Sequence, residues 1–204
     1  MSALHEVILP PAPIRREEAL RYAMQPRTAD GSGIPQMDAC IRMAEGKITC
    51  RAVWRMDALA WEADRLNLGF AETESSALRR RLDSCDRAIL FAATAGMEME
   101  RLILRAKAIS PLHGLCMHAV GAAIIEEACD RLCARLAEEH PDDALRPRFS
   151  PGYGDLPLAM QREVFAALDC GRKLGLTLTD TLLMQPGKSV TAIIGLSAKG
   201  DNDR

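Results

Sequence analysis

The feature that most constrains the fold is a long stripe of apolar residues that follows Ser110-Pro111. Serine is a favoured N-cap, and proline fits the first turn of a helix. The apolar side chains recur at steps of three and four, the spacing of one helical face, at Leu115, Ala119, Ala122, Ile125, Cys129, Leu132 and Leu136. The stripe predicts a helix to about Glu139, interrupted or tightened near Gly114 and Gly121, as the spine of the fold.

Shorter patterns on both sides of this helix predict strands and further helices. The apolar run from Arg87 to Ala93 is typical of a buried strand, and Thr94-Ala95-Gly96 separates it from a predicted helix at residues 97–108. Helices are also predicted at 37–44, 76–82 and 158–174, and strand-like segments at 49–59, 61–70, 176–184 and 190–196. Long helices mixed with short strands favour an α+β or mixed α/β fold without internal repeats.

Proline and turn signals divide the chain into three parts. Residues 1–35 contain Pro10-Pro11-Ala12-Pro13 and Gly31-Ser32-Gly33-Ile34-Pro35, which predicts an extended arm or lid around one short helix from Arg15 to Met24. Residues 36–197 carry the periodic patterns and are predicted to form a single domain. The polar residues 198–204 are predicted to be a loose tail.

Composition excludes several classes of protein. The 204 residues include 26 basic and 28 acidic side chains, a net charge of −2 that lacks the electrostatic footprint of a general nucleic-acid binder. The basic run Arg79-Arg80-Arg81 is interpreted as a solvated helix face. No stretch approaches the roughly 18 apolar residues of a membrane span. The N-terminus lacks a basic region followed by an apolar region, so we expect a cytoplasmic protein.

The cysteines leave two interpretations open. There are seven, an odd number, which fits reduced thiols better than a disulfide framework. Cys129 and Cys133 lie four residues apart on the long predicted helix, downstream of Cys116 and His118, and such side chains are soft metal ligands. Small buried cysteines also fill helix-packing faces. We favour the packing role and predict no metal site.

The sharpest signature is the segment Arg148-Phe149-Ser150-Pro151-Gly152-Tyr153-Gly154-Asp155. Proline fixes one dihedral angle of a turn, and the glycines permit backbone conformations that side chains obstruct. The Arg148 guanidinium can form two parallel hydrogen bonds to a carboxylate, and the Tyr153 ring can stack on a base or face a sulfonium. The alternative is that Arg148 caps a loop carbonyl and Tyr153 closes the core. The first interpretation suits a small, flat, charged ligand.

Three segments together resemble the C-terminal activation domain of vitamin B12-dependent methionine synthase. They are this signature, Leu176-Thr177-Leu178-Thr179-Asp180 and Pro186-Gly187-Lys188-Ser189-Val190. The resemblance covers residues 111–197 and extends more weakly through Leu82-Asp83-Ser84-Cys85-Asp86 and Phe91-Ala92-Ala93-Thr94-Ala95-Gly96, as in stand-alone members of that family. It implies an α+β fold with long helices packed on a mixed or antiparallel sheet.

The resemblance also implies an S-adenosylmethionine site. The family's motif carries over to residues of the signature, with Ser150 acting mainly through its backbone, namely Arg148, Ser150, Pro151, Gly152 and Tyr153. An acidic residue of the preceding long helix lines the family's site, and Glu126 aligns best with it. Glu127 is the alternative, because a one-residue shift of the alignment exchanges the two. No catalytic residue is implied.

The family relationship further implies partners. The activation domain presents S-adenosylmethionine so that reduction of cob(II)alamin is trapped by methyl transfer to cobalt. No part of this chain resembles a cobalamin-binding module, so the resemblance implies cobalamin on a separate methionine synthase and a flavodoxin-like electron donor. The alternatives are reactivation of another corrinoid methyltransferase and a non-catalytic S-adenosylmethionine sensor or scaffold. An ordinary methyltransferase is disfavoured, because no G-x-G loop links a strand to a helix.

Two departures from the family pattern qualify the predicted site. The family domain has further aromatic residues beyond its last conserved strand, whereas this sequence reaches Lys199 and ends at Arg204. Part of the ligand cover is therefore expected to be missing or to come from elsewhere. The family favours glycine two residues after the Ser-Val pair, where this chain has Ala192, which predicts different local packing.

Overall fold

The structure is a computed structural model that describes residues 2–23, 34–62 and 64–199. The strands are β1 (His5–Leu9), β2 (Cys50–Ala58), β3 (Ala60–Glu62), β4 (Arg65–Asn67), β5 (Glu72–Thr73), β6 (Arg87–Thr94), β7 (Asp143–Leu145), β8 (Thr177–Leu178), β9 (Met184–Gln185) and β10 (Ser189–Ala198). The helices are α1 (Arg16–Tyr22), α2 (Pro35–Ala44), α3 (Ser76–Arg81), α4 (Gly96–Ile109), α5 (Pro111–Glu139), α6 (Gln161–Leu168) and α7 (Cys170–Leu174), with a single 3-10 turn at Leu158–Met160.

Five antiparallel strands form the central sheet, in the order β1-β2-β6-β10-β7. Its middle strand, β6, pairs along its whole length with β2 on one side and β10 on the other; Phe91, for example, lies between Trp54 and Ala192. Separate small sheets are formed by β3-β4-β5 and by β8-β9. The predicted α+β class is therefore confirmed, and the pairing in the central sheet is antiparallel.

Both faces of the central sheet are buried, which explains the continuous apolar runs of its strands. Alternate side chains of a strand point to opposite faces. Phe91 belongs to the core beneath α1, α2, α4 and α5, whereas its neighbours Leu90 and Ala92 belong to the core beneath α3, α6 and α7. A strand covered on both faces has no solvent-facing positions, so its sequence does not alternate between apolar and polar residues. Residues 87–93 were correctly predicted as a buried strand for this reason.

The predicted spine is α5, which packs across one face of the sheet. The Ser110 hydroxyl accepts a hydrogen bond from the His113 backbone N–H at 3.2 Å and caps the helix. The predicted interruption near Gly114 and Gly121 is wrong, because α5 is continuous from Pro111 to Glu139. A Cβ atom at Gly121 would lie 3.1 Å from Met99 Cε and from Lys188 Cγ. This glycine serves close packing between elements.

The N-terminal residues depart in part from the predicted arm. The short helix is present as α1, but His5–Leu9 pair in register with β2 and form the edge strand of the central sheet. The Arg131 guanidinium donates to the Pro10 carbonyl oxygen at 2.7 Å and holds the following proline segment against α5. The predicted helix end at Met24 and the glycine turn at 31–33 lie outside the described residues, as do residues 200–204 of the predicted tail.

Three other predicted elements are divided in the structure. The predicted strand 61–70 is split between β3 and β4, which pair as antiparallel neighbours. The predicted helix 158–174 breaks at Asp169, whose φ of +51° ends α6 before α7 begins. Gly175, at φ +69°, ends α7. The predicted strand 176–184 is reduced to β8, which pairs with β9. Among the described helices, none is long and apolar enough to cross a membrane.

Candidate functional site

The signature segment is fixed to the outer edge of β10. The Arg146 N–H donates to the Gly195 carbonyl oxygen at 2.8 Å. Phe149 and Ile193 exchange both main-chain hydrogen bonds, at 2.9 and 2.8 Å. Residues 143–149 therefore run antiparallel along β10, and this attachment places Arg148 at the edge of the central sheet.

Immediately after Phe149 the chain turns away from β10. The Tyr153 N–H donates to the Ser150 carbonyl oxygen at 3.2 Å, and the Gly152 N–H donates to the Leu156 carbonyl oxygen at 2.9 Å. Gly152 has a φ of +92°, which favours glycine over residues with side chains. A Cβ atom there would also lie 3.3 Å from Leu158 Cδ1. The tight turn predicted from the proline and glycines is present.

Asp155 ties this turn to the start of α3. Its carboxylate accepts hydrogen bonds from the Ser75 hydroxyl, from the Ser76 N–H at 2.8 Å and hydroxyl at 2.7 Å, and from the Ala77 N–H at 3.0 Å. The hydrogen bonds from Ser75 and Ser76 hold the pKa of Asp155 well below its usual range. Ser75 caps the helix predicted at 76–82, and no local pattern indicates that a carboxylate 79 residues away from Ser76 would complete this cap.

Arg148 forms an ionic cluster with α5. Its Nη2 atom lies 2.7 Å from Asp130 Oδ1 and 3.2 Å from Glu126 Oε2. Both carboxylates use the same guanidinium nitrogen, while Nη1 is buried and has no hydrogen-bond partner among the described residues. Two carboxylates against one guanidinium leave the cluster with a net charge of −1. A buried donor without a partner is costly, so Nη1 marks a place where a ligand acceptor would be favourable.

The two glutamates that the alignment left open lie in different places. Glu126 contacts Arg148, whereas Glu127 forms an ion pair at 2.9 Å with Arg15, beside the proline segment. Adjacent helical residues point about 100° apart, so the two carboxylates face different neighbours. Glu126 is the residue beside the signature.

A cleft of about 480 Å³ opens between the signature turn, α5 and the first residues of β10. Tyr153 stands at its rim with 65% of its surface exposed, and its ring meets Phe149 edge-on with 6.3 Å between centroids. The lining residues include five predicted ones, Glu126, Arg148, Ser150, Pro151 and Tyr153. The sixth, Gly152, does not line the cleft but shapes the turn.

Among the lining residues that were not predicted as site residues, Gln161 and Thr191 are joined by a side-chain hydrogen bond. Gln161, at the start of α6, is only 4% exposed, and its Oε1 accepts a hydrogen bond from the Thr191 hydroxyl at 2.9 Å. Both residues face the cleft. The sequence held a signal for each residue. Gln161 is polar at an apolar position of a predicted helix, and Thr191 has a hydroxyl within the apolar run of β10.

The edge of β10 is open where it lines the cleft. Main-chain groups of alternate residues in a strand point to the same edge. Thr191 therefore directs its N–H and C=O toward the side on which Ile193 pairs with Phe149. No described residue pairs with them there, because the chain has turned away at Ser150 and Pro151 has no N–H to offer.

A second, smaller cavity of about 270 Å³ lies behind the ionic cluster, beneath the proline segment 10–14. Its floor is mainly apolar, with Ile48, Cys50 and Ile124 among the lining residues. Glu126 and Arg148 contribute to the walls of both cavities. The ionic cluster is thus the partition between them.

The cysteines pack in the interior. Burial raises the pKa of the Cys50 thiol to about 11 and that of Cys170 to about 12. Burial and the nearby Lys188 lower the pKa of His118. Within residues 2–23, 34–62 and 64–199, no group of three or more histidine, cysteine, aspartate or glutamate side chains is placed to hold a metal ion. The metal interpretation of Cys116, His118, Cys129 and Cys133 therefore has no geometric support in this part of the chain.

Comparison with known proteins gives a structural relationship without a sequence relationship. No protein-family model and no curated protein matches the chain. Among solved structures, the chain is similar to the MetH reactivation domain bound to AdoHcy, with a TM-score of 0.67 and 16% sequence identity. The match covers 95% of this chain and 78% of that one. At this identity the likeness establishes the fold, which is that of the reactivation domain.

Proposed function

We propose that this chain is an S-adenosylmethionine-binding accessory module that supports reductive methylation, and so reactivation, of cob(II)alamin on a separate cobalamin-dependent methionine synthase. Membership of the activation-domain family is part of the proposal. The observation that carries it is Arg148, which lines a cleft formed by the signature turn and whose Nη1 is buried without a hydrogen-bond partner among the described residues. The matching fold of a reactivation domain bound to AdoHcy supports the choice of ligand.

The residues around the cleft fit the charges of this ligand. Arg148 Nη1 would donate to its α-carboxylate in a charge-assisted hydrogen bond. Glu126, which lines the cleft, would lie near its ammonium and sulfonium groups, which carry the ligand's two positive charges, while Asp130 would add negative charge from behind Arg148. S-adenosylmethionine has a net charge of +1, which complements the net −1 of the cluster. We therefore expect tighter binding of S-adenosylmethionine than of S-adenosylhomocysteine, which lacks the sulfonium charge and has a net charge of zero.

Tyr153 and the turn would complete the site. The exposed ring of Tyr153 can stack on the adenine or face the sulfonium. Asp155 would hold the turn at a fixed distance from α3, so that the tyrosine is presented in one place. Binding and orientation are the contributions that a protein makes when its ligand carries the chemistry. Bound S-adenosylmethionine would supply the methyl group, and an external reductant the single electron that reactivation of cob(II)alamin requires.

The partners follow from the same proposal. The cobalamin would be carried by a methionine synthase or another corrinoid protein that docks over the cleft. A flavodoxin-like protein is the proposed electron donor. The protein is proposed to act in the cytoplasm, where both partners would be found.

Calorimetric titration with S-adenosylmethionine tests the proposed ligand. The unmodified protein should bind it saturably, and Arg148→Ala should weaken binding by at least about 100-fold, since a charged hydrogen-bond donor to the ligand is lost. Arg135→Ala is the matched control, because Arg135 also pairs with an α5 carboxylate, Glu139, but lies outside the cleft. If the unmodified protein does not bind, or if Arg148→Ala binds equally well, the proposal is wrong.

A turnover assay separates reactivation from ligand binding alone. Cob(II)alamin methionine synthase, a one-electron reductant and methyl-labelled S-adenosylmethionine should yield labelled cobalamin only when this protein is added. Arg148→Ala should abolish the transfer and Arg135→Ala should preserve it. Binding without any transfer to a corrinoid protein would instead assign the chain a sensor or scaffold role.

A further inference from the structure

We infer that the open stretch of β10 and the side chain of Gln161 recognise the adenine of the ligand through its 6-amino edge. This inference rests on the proposed function and adds the residues that read the base. The ionic cluster at Arg148 accounts for the charged tail of the ligand only. The remaining polar groups that face the cleft must therefore explain which base is accepted.

The first of these groups is the main chain of Thr191. Its N–H donor and C=O acceptor point into the cleft side by side, because Phe149 pairs only as far as Ile193 along this edge. On its other edge, β10 is paired with β6 from Ser189 to Leu196. A donor and an acceptor at the rim of a sheet form a fixed pattern that cannot rotate, unlike a side-chain hydroxyl. Fixed groups of this kind favour a flat partner with the complementary pattern.

The second group is the amide of Gln161. Its Oε1 is held by the Thr191 hydroxyl at 2.9 Å, which directs Nε2 away from that contact. The side chain is 4% exposed and lines the cleft, and no described residue accepts a hydrogen bond from Nε2. With no acceptor among those residues, Nε2 is accessible from the cleft, so a ring nitrogen with a lone pair would replace water as its acceptor and fix the position of the base.

Adenine carries the matching pattern. Its 6-amino group donates and the adjacent ring nitrogen accepts, which complements the C=O and N–H of Thr191, and its further ring nitrogens can accept from Gln161. Hypoxanthine has the opposite pattern on this edge, with a carbonyl oxygen at position 6 and a protonated N1. It would match Thr191 only if the base turned over. The ribose, tied through the amino-acid tail to Arg148, opposes that rotation.

The test compares two ligands that differ only at this edge. Calorimetric titration of the unmodified protein with S-adenosylhomocysteine and with S-inosylhomocysteine should give an affinity about tenfold to 100-fold lower for the inosyl compound, since it leaves buried groups unpaired. Binding of both compounds within about twofold would overturn base recognition and leave the proposed function standing. If neither S-adenosylmethionine nor S-adenosylhomocysteine binds, the proposed function and this inference fall together.

A variant assigns the discrimination to Gln161. Gln161→Leu keeps the approximate shape of the side chain and should lower the affinity for S-adenosylhomocysteine about tenfold. Its thermal unfolding should stay cooperative, with a midpoint lowered slightly by the lost hydrogen bond from the Thr191 hydroxyl, as evidence of a retained fold. Gln36→Leu, on α2 and outside the cleft, is the matched control and should bind like the unmodified protein. Unchanged binding by Gln161→Leu would remove Gln161 from the recognition face.

Discussion

Strands β6 and β10 run side by side through the same core but differ in what surrounds their main chains. Every residue from Arg87 to Thr94 lies between β2 and β10, so β6 is paired on both edges. On its outer edge, β10 is paired only from Ile193 onward. The two strands have similar apolar sequences, but β10 has hydroxyl residues, Ser189 and Thr191, at its unpaired end.

The difference indicates where folding and binding make separate demands on the sequence. All the main-chain groups of β6 are used by the sheet, so its residues are explained by packing. At the unpaired end of β10, the donors and acceptors are directed into a cleft that also contains Arg148 and Gln161. The same strand thus stabilises the core along one edge and forms the proposed binding surface along the other.

The largest expected effect comes from proline substitution at paired positions of the two strands. Ala92 directs its main chain toward Val53 of β2, so Ala92→Pro should lower the free energy of unfolding by about 3 kcal/mol or more. Thr191→Pro should lower the free energy of unfolding clearly less, because the Thr191 N–H has no strand partner. This variant loses chiefly the hydrogen bond from the Thr191 hydroxyl to Gln161, worth about 1 kcal/mol. Urea denaturation measures both. Equal losses would show that the edge at Thr191 is not open.

The next effect separates the two neighbouring glutamates. Glu126→Gln should weaken S-adenosylmethionine binding about tenfold, since it removes a negative charge from the cluster facing the ligand's positive groups. Glu127→Gln is the control and should change the affinity less than twofold, because Glu127 faces Arg15 instead. Calorimetry under identical salt conditions makes the comparison. A larger loss for Glu127 would move the ligand to the cavity beneath the proline segment.

A smaller effect is expected at the rim of the cleft. Tyr153→Ala should change the free energy of unfolding by less than about 0.5 kcal/mol, because the ring is 65% exposed. The same change should weaken S-adenosylmethionine binding about threefold to tenfold through the loss of stacking. Tyr153→Phe should retain most of the affinity. Full affinity in Tyr153→Ala would show that the ring does not contact the ligand.

The smallest effect should appear only at low pH. Because hydrogen bonds depress the pKa of Asp155 in the folded protein, its stabilising contribution is complete above the unfolded pKa, near 4, and is lost as pH falls toward the folded value. Asp155→Asn should therefore flatten the decline in stability below about pH 4. Asp142→Asn, an exposed aspartate remote from α3, should keep the original slope. Melting temperatures between pH 2 and 7 measure the difference.

Local signals made much of the fold predictable. The Ser110 cap, the apolar stripe of α5 and the buried run of β6 depend on residues close in sequence. The cap and the buried run were found as predicted, and the stripe was found except for Leu115, which is exposed. The break at Asp169 was missed, because a left-handed residue in the middle of an apolar helical pattern has no periodic signature. Assigning residues 5–9 to an arm failed similarly, since their strand pairing depends on β2, more than 40 residues away.

The candidate site was only partly accessible from the sequence. Arg148 and the turn form one short segment, and the resemblance to a known family drew attention to Glu126. Gln161 and Thr191 reach the cleft through tertiary packing that no local pattern encodes; the hydrogen bond between them joins residues 30 positions apart. The same is true of the ion pair between Asp130 and Arg148. The open edge of β10 depends on where its neighbour stops pairing, which only the strand register reveals.

Residue-resolved amide hydrogen exchange, measured with and without saturating S-adenosylmethionine, tests the central claim most directly. The Ala92 amide, inside the sheet ladder, should exchange slowly in both states. The Thr191 amide should exchange faster in the free protein and slow at least about tenfold when the ligand binds. A Thr191 amide that is as protected as Ala92 without ligand, or that does not respond to bound S-adenosylmethionine, would contradict a binding site at the open edge of β10.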